Sequence, residues 1–325
     1  LMKLNIGIKI MAGIQSWIGS ELDSQSGRLE LSCECYDEIH KTVNILRSNS
    51  LPLLVLNPSD LEMPLLKEVA LRINKMLNEG VGFCIIDKLP LQDMTDEDAK
   101  AIYWLLSQMI GRPVAQKWSD GRMIYSVTDL GSPSGNGVRP DVTNEEQSFH
   151  TDNSYNLCPP DHVGLMCLRP AIAGGVSRVV NMLAVVERMA KEYPNLLLRL
   201  HKPYFFDRQR EHAAMNISTI YKPILCEEKS GLRVRVSRNL IYQGYALRAE
   251  LVDAMSEEAL DAFFSIIDDP KMYKEFSFEA GQIQFLNNRL IGHKRTRFVD
   301  APEPDLKRHL LRVWLREKGK RFYNG

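Results

Sequence analysis

Helical and β-type hydrophobic patterns occupy different parts of the chain. Between residues 64 and 78 apolar side chains recur at helical spacing, with a proline at the start and a glycine just past the end, which predicts an amphipathic helix. Thr95 and Asp98 have the spacing of a capping box and predict a second helix that ends near Ile110. Between the two helices, the continuous apolar run 82–86 is typical of a strand covered on both faces.

Beyond residue 111 the pattern changes to short β-type runs separated by turn residues. These runs are 123–127, 163–168, 176–180, 232–236, 282–286 and 310–315. Helical patterns at 183–191 and 257–267 interrupt the series. The chain is therefore predicted to be α+β, mainly β, with an antiparallel barrel buttressed by helices. A doubly wound sheet fits less well, because strands and helices do not alternate and no glycine-rich strand-to-helix turn is present.

The pattern also predicts how the chain is organised. Residues 1–80 are expected to form a helical and irregular extension packed on the core, in which the run 51–56 predicts a short buried strand. Residues 81–325 are expected to form the barrel domain. Residues 129–149 are rich in glycine, proline and asparagine, which predicts a long loop that acts as a lid over a site.

Composition excludes several classes of protein. With 44% hydrophobic and 25% charged residues the chain resembles ordinary globular proteins, not disordered ones. Forty-one basic and forty-one acidic residues leave no net charge, which argues against sequence-blind binding to nucleic acid or to an anionic membrane. The apolar stretch 6–18 is too short and too polar to span a bilayer. Six scattered cysteines favour reduced thiols and a cytoplasmic location.

A metal site is indicated by residues that lie far apart in the sequence. His150 and Asp152 stand at positions i and i+2, on one face of an extended segment, where both side chains can reach one ion. Alone this pair is weak evidence. His293 follows the predicted strand 282–286 and is the candidate third ligand. Two histidines and one carboxylate leave three open positions on an octahedral Fe(II).

The last predicted strand adds two cations near this site. Strand alternation places Arg308, Leu310, Arg312 and Trp314 on one face and an apolar set on the other. The apolar face is expected to pack under helices, so the two arginines point inward. Buried guanidinium groups need anionic partners, and their planar fork matches a carboxylate. A thiol-based site at Cys158 and His162 is less favoured, because two prolines between them indicate a rigid turn.

Taken together, these motifs resemble those of the Fe(II)- and 2-oxoglutarate-dependent oxygenases of the taurine dioxygenase and clavaminate synthase type. The resemblance runs from about residue 82 to residue 316 and depends on the order and spacing of four motifs. They are Phe149-His150-Thr151-Asp152, Ala173-Gly174-Gly175-Val176-Ser177, Asn288-Arg289 with His293, and Arg308. Ser177 departs from the threonine of the taurine enzyme but keeps the hydroxyl.

The resemblance implies a double-stranded β-helix, or jelly roll, with Fe(II) bound by His150, Asp152 and His293. It also implies that Arg308 and Ser177 hold the distal carboxylate of 2-oxoglutarate. The implied reaction uses O2 to oxidise a C–H bond while 2-oxoglutarate is decarboxylated to succinate, with ascorbate as the reductant in vitro. Hydroxylation is the default outcome, and desaturation, epoxidation and ring formation stay open. Halogenation is disfavoured, because halogenases replace the carboxylate of Asp152 by a small residue.

The substrate is predicted only by class. Arg312 matches a second arginine that contacts an anionic substrate group in several relatives, while Tyr125, Arg139 and Tyr155 flank the predicted pocket as further candidate contacts. We therefore expect a small anionic substrate, either amino acid-like or an intermediate of secondary metabolism. A homo-oligomer is left open. Two other classes remain: a hydrolase that uses the same metal ligands, and a binding module that has lost turnover.

Overall fold

The computed structural model describes residues 13–131 and 142–325. In these ranges the α-helices are α1 (Cys33–Ser48), α2 (Pro64–Glu79), α3 (Asp96–Ile110), α4 (Met182–Glu192), α5 (Pro194–Leu200), α6 (Arg238–Leu247) and α7 (Ala254–Asp268). The strands are β1 (Arg28–Leu29), β2 (Phe83–Ile86), β3 (Arg112–Val114), β4 (Ile124–Val127), β5 (Gln147–His150), β6 (His162–Arg169), β7 (Ala173–Gly174), β8 (Ser177–Asn181), β9 (Pro203–Asp207), β10 (Thr219–Pro223), β11 (Leu225–Glu228), β12 (Gly231–Val234), β13 (Tyr273–Phe276), β14 (Ile283–Asn287), β15 (Ile291–Arg295), β16 (Phe298–Val299) and β17 (His309–Arg316).

Two sheets form the centre of the molecule. The larger has the order β1-β2-β14-β6-β17-β3, with β4 also paired to β17, and the smaller has the order β13-β8-β15-β5. Except for the parallel pair β1 and β2, all of these pairings are antiparallel. Phe83, Val163 and Trp314 of the larger sheet share one apolar cluster with Val179 and Ile291 of the smaller. The predicted jelly-roll architecture is therefore confirmed.

Helices cover the outer faces of both sheets. Leu311, Val313 and Leu315 of β17 belong to one cluster with residues of α1, α2 and α3, so the predicted packing of this apolar face under helices is confirmed. On the other side, Val180 of β8 shares a cluster with residues of α4 to α7, including Phe263. Each sheet thus has one face against the other sheet and one face against helices, and both faces of β17 are buried.

The main predicted elements are confirmed, but two details are wrong. The run 51–56 is not a buried strand: a 3₁₀ turn forms at Leu53–Val55, and Leu54 and Val55 are more than half exposed. Pro52 stands at the start of this turn, where it has no backbone N–H to donate to a sheet. The predicted loop 129–149 is also too long, because β5 begins at Gln147. Residues 132–141 of that loop, and with them Arg139, lie outside the described residues.

The capping box at the start of α3 provides a test of stability. Thr95 and Asp98 make both of its reciprocal hydrogen bonds, and Asp98 also accepts a 2.7 Å hydrogen bond from Arg47 of α1. We expect Asp98→Ala to lower the free energy of unfolding by about 1–2 kcal/mol, measured by urea denaturation at pH 7. Glu97→Ala is the control, because Glu97 is 75% exposed and makes one surface ion pair. An equal loss in both variants would contradict the expectation.

The same carboxylate predicts how stability depends on pH. The hydrogen bond from Arg47, together with those from Thr95, lowers the pKa of Asp98 to about 2 despite the opposing effect of burial. Because the folded-state pKa lies below the unfolded value, the stabilisation is complete above the ordinary Asp pKa. It is lost as the pH falls from there towards 2. The difference between wild type and Asp98→Ala should therefore shrink across this window.

None of the helices in the described ranges combines the length and the apolar character needed for a membrane span.

Candidate active site

Two histidines meet across neighbouring strands of the smaller sheet. Antiparallel pairing of β5 and β15 sets His150 directly opposite His293, with their ring centroids 4.1 Å apart. Nδ1 of His150 lies 2.9 Å from the backbone carbonyl of Ser148. Since a carbonyl can only accept, this contact favours the tautomer with the proton on Nδ1. The lone pair is then on Nε2, which accepts a 3.0 Å hydrogen bond from the side-chain amide of Gln147 and could bind a metal in its place. The sheet register therefore brings two distant histidines to one point.

A turn, not a strand, brings the carboxylate to the same point. Asp152 follows the end of β5, and its backbone is held on both sides by Asn288, at 2.7 Å through the backbone N–H and at 2.9 Å through the backbone carbonyl. Its Oδ1 lies 3.4 Å from Nε2 of His150 and 3.8 Å from Nε2 of His293. The predicted proximity is confirmed, but the prediction that His150 and Asp152 share one face of an extended segment is wrong.

The three side chains have the donors that a metal needs. One nitrogen or oxygen atom of each lies within 4.8 Å of the others, and Asp152 and His293 are buried. Two imidazoles and one carboxylate are a donor set that suits Fe(II) and would leave coordination positions open.

Electrostatics keeps two of the ligands in the state that binds metal. Burial favours a raised pKa for Asp152, but Arg312 and the two histidines outweigh it and hold that pKa well below its usual range. Burial, reinforced by the neighbouring His150, lowers the pKa of His293 to about 3. At neutral pH the carboxylate is therefore ionised and the His293 imidazole is neutral, as metal binding requires.

Trp314 supports the carboxylate from the far side. Its indole Nε1 donates a 2.6 Å hydrogen bond to Oδ2 of Asp152, and Nη1 of Arg312 lies 3.6 Å from the same oxygen. These contacts leave Oδ1 to face the histidines. The alternation in β17 predicted that Trp314 points inward, but nothing in the sequence indicated its partner, which lies 162 residues away.

A cavity beside the three side chains contains the predicted co-substrate residues. It is lined by Val127, Gln147, His150, Leu165, Gly175, Ser177, Phe278, His293, Lys294, Arg295, Arg308, Leu310 and Arg312. Arg308 is 5% exposed, and its Nη1 has no hydrogen-bond partner among the described residues. Burial, followed by the nearby charge of Arg295, lowers the pKa of Arg308 to about 10. A buried, incompletely paired guanidinium that lines the same cavity as Ser177 fits the distal carboxylate of 2-oxoglutarate.

The glycine pair ahead of Ser177 allows the backbone to approach this cavity closely. Gly174 and Gly175 have φ angles of 74° and 65°, in the left-handed region that favours glycine. A Cβ atom on Gly174 would overlap the backbone carbonyl of Arg297, and one on Gly175 would lie 3.4 Å from Nε of Arg308. The motif thus shapes the wall next to Arg308.

The remaining predicted site residues in the described ranges are not among those that line the cavity. Tyr125 packs its ring 5.0 Å from the guanidinium of Arg312, while Tyr155 belongs to the apolar cluster under α4 to α7. Cys158 and His162 have separate partners, Asn324 and Asn78, so the thiol-based alternative gains no support.

Comparisons with known proteins agree with this geometry. A family model described as "Taurine catabolism dioxygenase TauD, TfdA family" matches residues 55–314. The chain belongs to this family. It is accordingly a non-haem Fe(II)- and 2-oxoglutarate-dependent dioxygenase, as the sequence motifs predicted.

Two curated proteins are similar to this dioxygenase in sequence. FR-33289 synthase of Streptomyces rubellomurinus (strain ATCC 31215) is 26% identical over 254 residues, which cover 76% of this chain and 73% of that protein. The taurine hydroxylase-like protein SAT17 of Stachybotrys chartarum (strain CBS 109288 / IBT 7711) is 23% identical over 318 residues, covering 92% and 77%.

Solved structures share the fold of the dioxygenase. An asparagine oxygenase in complex with Fe(II), 2S,3S-3-hydroxyasparagine and succinate superposes with a TM-score of 0.67 at 14% identity, covering 90% of this chain and 94% of that one. The non-haem iron oxygenase OrfP in complex with Fe and alpha-ketoglutaric acid gives 0.63 at 16% identity, again covering 90% and 94%.

Proposed function

We propose that this dioxygenase binds Fe(II) through His150, Asp152 and His293 and receives the distal carboxylate of 2-oxoglutarate at Arg308 and Ser177. The observation that carries the proposal is the position of Arg308, a buried cation with an unpartnered Nη1 in the cavity that the two histidines also line. A dicarboxylic keto acid would fit both features, since its keto acid end could chelate a metal while its distal carboxylate could pair with the guanidinium. When bound, iron supplies the activation of dioxygen for C–H oxidation.

The protein side chains supply orientation and shielding. Trp314 and Arg312 hold Oδ2 of Asp152, so that Oδ1 is presented towards the histidines. Val127, Leu165 and Phe278 give the cavity apolar walls, which limit access of water to the oxidation chemistry. The chain therefore contributes ligand geometry, co-substrate orientation and a dry site.

The substrate we propose is a small anionic molecule, most simply an amino acid or a related natural-product intermediate, and the reaction is hydroxylation. Arg312 lines the cavity and supplies a positive charge on the metal side of it. The names of the fold relatives point the same way, since one is an asparagine oxygenase bound to hydroxyasparagine and OrfP has been solved with (3S)-hydroxy-L-Arg. A cytoplasmic location is also part of the proposal and suits six cysteines that form no disulfide.

Formation of succinate is the direct assay. Purified protein given Fe(II), O2, 2-oxoglutarate and ascorbate as reductant should produce succinate slowly without substrate and faster with the correct amino acid. Removal of metal by a chelator should abolish the activity, and Fe(II) but not Zn(II) should restore it. Turnover that Zn(II) restores or that proceeds without O2 would instead indicate the hydrolase alternative.

Arg312 can be tested separately as the substrate contact. Its Nε donates a 2.9 Å hydrogen bond to Gln116 and its Nη1 lies near Asp152, so an alanine would also remove charge from beside a metal ligand. Arg312→Lys keeps that charge but loses the planar fork. We expect the KM for the anionic substrate to rise by about tenfold, while succinate formation without substrate stays within about twofold of wild type. Equal losses in both activities would contradict the assignment.

A further inference from the structure

A second arginine lies beside the proposed co-substrate anchor. Arg295 is 7% exposed and lines the same cavity as Arg308. The two guanidinium carbons lie 4.7 and 4.9 Å from the centroid of one aromatic ring, that of Phe298. Two buried cations therefore share one ring at the end of the cavity where the distal carboxylate is proposed to bind.

Two like charges buried beside the same ring repel one another, because burial removes the screening that water would provide. Burial, and after it the charge of Arg295, lowers the pKa of Arg308 to about 10. The carboxylate of Asp300 lies close by, and its Oδ1 accepts a 2.7 Å hydrogen bond from the backbone N–H of Arg308. A bound dicarboxylate would bring a further negative charge to both cations and lower the free energy of keeping them together.

The same guanidinium group of Arg295 also contacts the segment that leads to the first histidine. Its Nη2 donates to the backbone carbonyl of Thr143 at 3.0 Å and also to that of Glu145. The backbone N–H of Phe298 donates to the carbonyl of Asn144 at 3.1 Å. Residues 143–146 are thus fixed to the end of β15 and continue directly into β5, which ends at His150.

We propose that Arg295 is a positioning residue that couples binding of 2-oxoglutarate at Arg308 to the packing of residues 143–146. The proposal rests on the assignment of Arg308 under the proposed function. When the co-substrate offsets the repulsion between the two guanidinium groups, the arrangement in which Arg295 reaches the two carbonyls is stabilised. Coupling of this kind is reciprocal, so the packed segment in turn favours the co-substrate.

Hydrogen exchange under anaerobic conditions tests the coupling. Protein loaded with Mn(II), which binds without starting turnover, is compared with and without 2-oxoglutarate. In wild type we expect 2-oxoglutarate to slow exchange of amides in residues 142–150 by about tenfold. In Arg295→Gln this slowing should disappear, and the Kd for 2-oxoglutarate should rise by about tenfold. Because the coupling is reciprocal, Arg295→Gln that keeps either the wild-type slowing or the wild-type Kd would overturn the proposal.

Arg297→Gln is the matched control. Arg297 lies two residues away, its side chain is 69% exposed, and it contacts the same segment through an ion pair with Glu145 at 3.5 Å. Surface ion pairs of this kind contribute little, so both measurements should match wild type. An Arg297→Gln variant that loses the slowing as completely as Arg295→Gln would overturn the specific role of Arg295.

A second variant covers the case in which Arg295→Gln fails to fold. Arg295→Lys keeps the charge but lacks the fork that reaches two carbonyls. By the same reciprocity we expect it to lose most of the slowing and to raise the Kd for 2-oxoglutarate by about tenfold, whereas full slowing would overturn the proposal. Arg308→Met separates the two assignments: if it leaves the Kd unchanged, the proposed function fails. If it weakens binding and Arg295→Gln does not, only this inference fails.

Discussion

Replacement of Asp152 by alanine should lower both the affinity for Fe(II) and the turnover of 2-oxoglutarate by more than about 100-fold. Loss of a residue that merely supports a ligand costs about 10–100-fold, and Asp152 is placed as a ligand itself. Its Oδ1 is the atom that lies between the two histidines, at 3.4 and 3.8 Å from their Nε2 atoms. Without it only two imidazoles remain, which is too few for a stable Fe(II) site.

Two companion variants make this prediction specific. Asp152→Asn keeps the shape and can still accept the hydrogen bond from Trp314, so it guards against loss of activity through misfolding. It should be nearly as inactive as Asp152→Ala while unfolding at a similar temperature. Trp314→Phe leaves all three ligands in place and should weaken Fe(II) binding by only about tenfold. Metal affinity can be measured by competition with a chelator, and Asp152→Asn with wild-type affinity would rule out the assignment.

Arg308→Met should raise the Kd for 2-oxoglutarate by about 100-fold and leave Fe(II) affinity unchanged. A hydrogen bond to a charged group contributes about 1.5–3 kcal/mol. Losing both hydrogen bonds of the guanidinium fork therefore costs at least about 3 kcal/mol of binding free energy, which raises the Kd by roughly two powers of ten. Methionine retains much of the length of the side chain. Because it also removes a buried guanidinium with an unpartnered Nη1, the metal-free variant should unfold at no lower temperature than wild type.

Arg169→Met is the control for Arg308→Met. Arg169 ends β6 in the larger sheet, where it bonds to Asp96 at 2.8 Å and to His309 at 3.1 Å, and it is not among the residues that line the cavity. Its loss should leave the binding of 2-oxoglutarate unaltered. Calorimetric titration under anaerobic conditions measures the Kd of both variants, and a Kd for Arg308→Met within threefold of the control would contradict the role of Arg308.

Much of the fold was predictable because local chemistry and tertiary structure agree. The capping box of α3 and the alternation in β17 are encoded by neighbouring residues, and both appear in the structure as predicted. Helix α1 was not predicted as a separate element within the extension 1–80, although Ser32 caps it and Cys35, Ile39 and Val43 follow at helical spacing. In that helix the buried stripe is narrow and polar residues dominate, so the apolar pattern is weak.

In the candidate site, only the residues that belong to recognisable sequence motifs could be predicted. His150, Asp152, His293, Ser177 and Arg308 follow from motif order, and the structure places all five around one cavity or at its edge. The partners of these residues could not be predicted, because they depend on sheet register over long separations. Trp314 reaches Asp152 across 162 residues, and Arg295 reaches Thr143 across 152 residues. Neither contact leaves a local pattern in the sequence.

A crystal structure of the protein grown anaerobically with Fe(II) and 2-oxoglutarate, with anomalous scattering recorded at the iron edge, would locate both the metal and the co-substrate. We expect one iron peak about 2.0–2.2 Å from Nε2 of His150, Nε2 of His293 and Oδ1 of Asp152, together with a carboxylate paired to Arg308. An iron peak bound by other residues, or a 2-oxoglutarate molecule with its distal carboxylate away from Arg308, would contradict it.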